Sequence, residues 1–549
     1  MRNPSAAFFL FCSWIVATPA VAQTEAATER EPRVLLQIVC DGPAAWRAKF
    51  APTNLGTMLA SAEGGSLWKP RLEPFDAALR RVLAAGQPEQ DAAATARRWL
   101  DYGGRVEFVV ASVVSPDDEE RLSPCALLRF HGDAHTDLDA LAADLARQLA
   151  ANDPFAPVVH GDREWQTSRF GKFRATAPLR VGDAVVIHLG EPGTLAASER
   201  MAKNPAPAVD ARTSLRVVAH AQDVETHLRG VDDEIAASWR AFGFGAVDAA
   251  SFAIGTAGPF VQIECATAFG GQERGVFGAF FPATTGIPPL LHLVPADGTP
   301  WKVGHFDVAA MWRAGCSIAD AFSNEPAGTA AAAVAKAWGV DPLADVFEQM
   351  HDDYAFLGAP GWSVDDGFVE DGCIVFRLRD EKKFAAGFER MRQNWKPHVQ
   401  KASEEEHEGV TITHYSSLLV PLQVAIGRGL VFVSIGRDGA DRIRDSIDRA
   451  KAAASADPGD AWRPAMRHAP AGVNGIGQIE LRRVLRMYVA TVVAVAGFLP
   501  DNAVSTFLAD SDLEGLVEGL EPLLERHGLT HLRTATGFDA GRWAFRLFW

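Results

Sequence analysis

The chain repeats itself, and the repeat limits the folds open to it. Near the start it reads LLQIVCDGPAAWRA, and much later WKVGHFDVAAMWRA. Each sets an Asp five residues ahead of Trp-Arg-Ala: Asp41 and Trp46, then Asp307 and Trp312, an offset of 266. Cys125-Ala-Leu-Leu-Arg129 matches Cys373-Ile-Val-Phe-Arg377 at an offset of 248. VGDAVVIHLG, ending at Gly190, matches GRGLVFVSIG, ending at Gly436, at an offset of 246. Three matches kept in one order point to a tandem duplication, with loop deletions accounting for the drift.

The ends of the halves pair as well. GFGAVDAASFAIGTAGPFVQIEC (243–265) and GLTHLRTATGFDAGRWAFRLFW (528–549) each read as a β-hairpin after a helix. Each half therefore divides into a long and a short part. The expected parts are 33–205, a first long α+β part; 214–299, a short helix-hairpin part; 300–453, a second long α+β part; and 465–549, a second short helix-hairpin part. The stretches NPAPAVDART (204–213), PADGTP (295–300) and ASADPGDAWRP (454–464) would separate them.

Local patterns give a mixed α and β content. VLLQIV (34–39) and RVEFVVASVV (105–114) are rich in β-branched residues and read as strands. Leu138, Leu141, Leu145 and Leu149 fall at helical spacing, as do Phe384, Phe388 and Met391 in the repeat, with Thr136 and Asp380 as N-caps. LLVPLQVAI and LVFVSI stand only Gly427-Arg428-Gly429 apart, which is hairpin spacing. Strands in hairpins and helices in separate runs predict α+β: a duplicated two-part unit of antiparallel sheets and packed helices.

The N-terminus reads as an address. Arg2 precedes the apolar AAFFLFCSWIVATPAVA, which ends in Ala20-Val21-Ala22, so 1–22 is expected to be a signal peptide and the protein periplasmic or extracellular. Its removal would take the net charge of the 549-residue chain from -16 to -17. A balance this acidic argues against nucleic acid or anionic lipid as the main partner. The longest later apolar run, Met487 to Pro500, is too short to span a bilayer, which takes about 20 residues, so no stable transmembrane segment is expected after cleavage. Beyond the leader, Cys40, Cys125, Cys265, Cys316 and Cys373 form no C-x-x-C pair. One or two disulfides and buried free thiols both remain open.

The opening strand with Asp41 and Trp46, its recurrence at Asp307 and Trp312, and GGQERGVFGAFF (270–281) before a Pro-rich link resemble an uncharacterised family of exported bacterial proteins carrying a domain of unknown function. The resemblance covers nearly the whole mature chain. It implies an exported multidomain protein and brings no activity, cofactor or catalytic residue.

Chemistry is sparse. His131, Asp133, His135 and Asp137 form the most metal-like spacing, but the matching segment Arg379-Asp380-Glu381-Lys382 has no histidine, so strand-to-helix capping is the better reading. Met350-His351-Asp352-Asp353 and Glu404-Glu405-Glu406-His407-Glu408 could hold a cation weakly; solvated faces or loops explain them better. There is no G-x-S-x-G or H-E-x-x-H, although a triad dispersed along the chain stays open. The glycine-containing FGFGA (242–246) and the glycine-rich GGQERGVFG (270–278) lack the Lys-Ser/Thr of a phosphate loop. Trp46 and Trp312 read as core packing, and Asp41 and Asp307 as helix N-caps. Trp543, Phe545, Leu547 and Trp549 alternate like the closing strand of an outer-membrane barrel, but a soluble sheet strand is the better reading, since the chain lacks a regular series of such strands. No catalytic, cofactor-binding or metal-ligating residue and no cofactor are assigned. The expectation is an exported, non-enzymatic binding or scaffolding protein whose partner is a protein or an apolar ligand. A hydrolase with a dispersed site, or a carrier of an apolar ligand, is the alternative.

Overall fold

The computed structural model describes residues 32–67, 89–270, 286–453, 463–486 and 513–549, apart from short stretches within them. Residues 1–22, expected to be a signal peptide, 270–281 beyond its first residue and the run from Met487 to Pro500 lie outside the described residues. Among those described, no helix is long and apolar enough to cross a membrane. The chain forms two compact units: 1–237 with 248–265, and 238–247 with 266–549.

Unit 1 is built on β1 (Arg33–Asp41), β2 (Arg105–Ser115), β3 (Asp118–His131), β4 (Ala156–His160), β5 (Arg163–Phe170), β6 (Phe173–Thr176), β7 (Leu179–Val181), β8 (Ala184–Gly190), β9 (Thr213–His220) and β10 (Val247–Ala257); β11 (Phe260–Phe269) follows. The sheet runs β10-β9-β1-β2-β3-β8, with β6 and β7 on the outer edge of β8 and then β5 and β4. Every pairing is antiparallel, as short hairpin connections require. β9, from the expected short part, pairs directly with β1 of the long part, so the two parts share one sheet.

Helices cover both faces of this sheet. That is why β2 carries consecutive buried residues, Val109, Val110 and Ala111, and no clean alternation. On one face α2 (Glu89–Asp101) and α3 (Leu138–Ala150) set Trp99, Leu138, Leu141 and Leu145 on Phe130, Val185 and Ile187. On the other, α4 (Leu195–Lys203) sets Ala197 and Met201 on Val109, Ala111, Cys125 and Leu127. The leucine stripe falls where its spacing placed it. The cap of α3 is Asp137, not Thr136: Asp137 accepts from Asp139 N and Ala140 N, while the Thr136 hydroxyl donates to Asp133. α1 (Pro43–Phe50) starts from Gly42, so Asp41 is not its cap; the Asp41 carboxylate holds Lys49 instead.

Unit 2 contains β12 (Trp301–His305), β13 (Met350–Ser363), β14 (Gly367–Leu378), β15 (Val399–His407), β16 (Val410–Ser417), β17 (Leu422–Gly427), β18 (Leu430–Ile435), β19 (Gly472–Glu480), β20 (His531–Asp539) and β21 (Arg542–Phe548). The sheet runs β21-β20-β19-β12-β13-β14-β18-β17-β16-β15, again antiparallel throughout. α5 (Val308–Phe322) follows β12, α6 (Glu381–Asn394) follows β14 and α7 (Gly439–Ala453) follows β18. α6 buries Phe384 and Met391 against Leu378, Val424 and Val431, and α7 buries Ile443 and Ile447. Asp307 and Asp380 cap their helices as expected, accepting from Ala310 N and Lys383 N. Gly427 pairs Leu430, which leaves Arg428 and Gly429 as a two-residue turn with φ of 60° and 72°. That is the mirror-image turn that fits strand twist. β21 is paired with β20 as a sheet strand, with Ala544 and Phe548 buried.

Candidate functional site

The metal-like spacing of unit 1 does not converge. Asp133 Oδ1 accepts from His135 N at 2.9 Å and from the Thr136 hydroxyl at 2.6 Å. The Thr136 hydroxyl holds the Asp133 carboxyl below its usual range. Asp137 is taken up by the helix N-terminus, and His131 faces the sheet interior. The run Glu404–Glu408 is not a loop. Its first four residues end β15 and Glu408 opens a turn with φ 50°. Its acids meet bases of α7 and of the strand itself, Glu404 with Lys401, Glu405 with Arg444 at 3.1 Å and Glu408 with Lys451, while its His407 meets Asp448 of α7 at 2.8 Å. Trp46 stacks on Phe50 at 5.1 Å, and Trp312 packs on Trp338 and Phe347 at 5.7 and 5.3 Å, as packing residues would.

The titratable groups the fold does gather lie on the middle strands. In unit 1, Glu107 on β2 stands opposite Arg129 on β3, and the two meet at 2.8 Å with side chains 3% and 6% exposed. Gln37 on β1 donates to Glu107 Oε1 at 2.9 Å, and His131 Nε2 lies 3.6 Å from Oε2. Burial alone would raise the Glu107 carboxyl; His131, Arg129 and Gln37 together hold it below its usual range. Arg129 also donates to Ala202 O at 2.9 Å, satisfying a carbonyl at the end of α4.

The matching pair in unit 2 is Asp353 on β13 with Arg377 on β14. Here the histidine comes from β12: His305 stands opposite Asp353, with Nδ1 3.0 Å from Asp353 Oδ1 and 3.9 Å from Asp352 Oδ2. His305 Nδ1 is buried and makes no aligned hydrogen bond in spite of that 3.0 Å approach. Burial would raise the Asp353 carboxyl, but His305 and Arg377 hold it below the usual range. His305, Asp352 and Asp353 each offer one ligand atom, all within 4.8 Å of one another. These three residues could hold a metal ion. Two of the three, Asp352 and Asp353, were visible in the acidic run ending at Asp353. His305 was not singled out, although it sits two residues before Asp307 inside the repeated segment.

One Ser–His contact exists among the hydrogen bonds of the described residues. His188 Nδ1 and Ser198 Oγ are 3.0 Å apart, and Ser198 donates to Ala126 O at 2.8 Å. The serine proton is thus committed to a carbonyl. Burial pushes the His188 ring down to about 4. The five described cysteines are free thiols, and burial pushes Cys125 and Cys373 up to about 12.

These features define an α+β protein of two antiparallel units, each with a buried acid that meets an arginine across the sheet. No family model, curated protein or solved structure matches the chain.

Proposed function

We propose that the chain is an exported protein of two tandemly duplicated units, and that it binds or scaffolds a partner without turning over a substrate. The observation that carries this reading is the shared plan of the two sheets. Each runs from short-part strands through the opening strand, a long hairpin and a returning strand to an outer meander. The register supports the repeat: an offset of 266 takes Val39, opposite Glu107, to His305, opposite Asp353, and an offset of 248 takes Arg129 to Arg377. Duplicated units are a common way to build a body that holds a partner. The non-enzymatic half of the reading rests on Ser198, whose proton is committed to Ala126 O, and on Glu107, which is enclosed by Gln37, Arg129 and His131. Export rests on residues 1–22, and the uncharacterised exported family is proposed on Asp41, Trp46, Asp307 and Trp312.

The test is expression with a C-terminal tag in a bacterial host, followed by fractionation, intact-mass measurement and labelling with a serine-directed fluorophosphonate. The expected result is a periplasmic chain starting at Gln23 that takes no label. A full-length chain in the cytoplasm would overturn export. Stoichiometric labelling would replace the binding reading with a hydrolase. A lipid retained in the native mass spectrum would replace it with a carrier.

A further inference from the structure

We propose that His305, Asp352 and Asp353 form a binding site for one divalent transition-metal ion of the zinc or manganese class. This site is independent of the binding or scaffolding reading above.

The site begins with a ladder irregularity. Met350 pairs with Leu378 and Tyr354 with Phe376, so residues 351–353 stand against Arg377 alone. In a regular strand, neighbours such as Asp352 and Asp353 point to opposite faces. A bulge breaks that alternation and re-aims side chains. Here both carboxylates reach the imidazole of His305, the last residue of β12.

The spacing suits a metal ion. With bonds of about 2.1 Å, donors stand about 3.0 Å apart at right angles and about 3.4 Å apart in a tetrahedron. The 3.0 Å from His305 Nδ1 to Asp353 Oδ1 matches the first value, and the 3.9 Å to Asp352 Oδ2, on a part-exposed side chain, would close by about 0.5 Å on binding. The second observation is His305 itself. Its side chain is 6% exposed, and Nδ1 faces two carboxylate oxygens with no aligned hydrogen bond. A buried polar atom left this way carries a cost that a partner would remove. A lone pair and two carboxylates converging on one point are answered together by a cation with empty orbitals.

The donor set selects the ion class. Calcium and magnesium favour all-oxygen shells, whereas imidazole favours the transition ions and zinc. Arg377 takes the other oxygen of Asp353, Oδ2, fixing the carboxylate and leaving Oδ1 for the ion. Asp352 is 30% exposed, which gives the ion an approach from solvent. Three protein ligands leave room for water or an outside ligand on the ion. Among the described residues unit 1 has no such set at the corresponding place: Val39 stands opposite Glu107, and Val106 precedes Glu107 in an unbroken ladder.

The test uses the full chain, purified without a histidine tag and stripped by a chelator. Zinc is titrated calorimetrically, and cobalt is followed by its visible absorption. The expected result is one ion per chain and cobalt bands typical of a mixed nitrogen and oxygen shell. Asp352→Asn should weaken binding at least tenfold and His305→Gln should abolish it, while His135→Ala in the rival spacing of unit 1 should leave it unchanged. Asp352 is partly exposed and lies outside the Arg377 pair, so its variant keeps the test decisive if His305→Gln fails to fold. No uptake by the stripped chain, or uptake unaffected by Asp352→Asn, overturns the site.

Discussion

At the register position where unit 1 carries Val39, unit 2 carries His305, and the strands around them otherwise run in the same order. In unit 1 the ladder beside that position is regular, so one acid, Glu107, meets one arginine, Arg129, deep in the sheet. In unit 2 the ladder swells, and two acids meet a histidine beside an arginine that is 42% exposed. One sheet plan thus yields a sealed structural pair in one place and an open ligand set in the other. The lesson is that the extra residues in β13, more than the residue types, separate the two outcomes.

The largest expected effect tests the sealing. Removing one partner of a buried ion pair leaves a stranded charge and costs about 3–5 kcal/mol. Arg129→Ala should lose that much in urea unfolding, since Glu107 would keep only Gln37 and His131. Arg377→Ala should lose less, because Arg377 is 42% exposed and the buried Asp353 keeps His305 at 3.0 Å. Equal losses would break the comparison.

Acid provides the next test. The His188 ring falls from 6.5 to about 4 on folding, so the unfolded chain binds the extra proton between those values. Stability is therefore intact above the unfolded value and declines as pH falls from 6.5 toward 4. The loss is about 3 kcal/mol at 1.36 kcal/mol per unit. Glu107, held low, adds a loss of the same sign as its carboxylate protonates. His188 stands opposite Leu127 on β3; the place opposite Val375 on β14 is taken by Phe432, which cannot titrate. Unit 1 should soften first, read as hydrogen exchange in β3 and β8 rising between pH 7 and 4 while β14 and β18 hold. His188→Gln should flatten the acid limb, and an unchanged limb would remove His188 as its cause.

The smallest effect concerns the caps. Asp137→Ala and Asp380→Ala should each cost about 1 kcal/mol in thermal or urea unfolding, with Thr136→Val costing less. A larger loss for Thr136 would restore it as the cap.

Periodic features were legible in the sequence. The stripes of α3 and α6, the turn at Arg428-Gly429 and the caps Asp307 and Asp380 each follow from spacing within a few residues. Features set by long-range register were not. Glu107 and Arg129 are 22 residues apart and are matched only by the β2–β3 ladder. The Glu404–Glu408 run hid a strand because glutamate is poor in strands, and its charges are balanced chiefly by α7, which no local pattern reveals. The match of Gly190 to Gly436 was two residues out: the ladder sets Gly190 against Cys125, but Ser434 against Cys373. The candidate site was partly legible. The run ending at Asp353 was visible, but His305 joins it across a strand pair and a bulge.

The swelling in β13 also speaks to how such a site could be gained or lost. Two extra residues lie between pairings that are regular to the far end of β13, and the pairing of β12 with β13 is unbroken. A change of two codons there would switch the local geometry between the forms seen in the two units, with every other strand left where it is. On the proposed duplication, one copy can make that change while the other keeps a regular ladder.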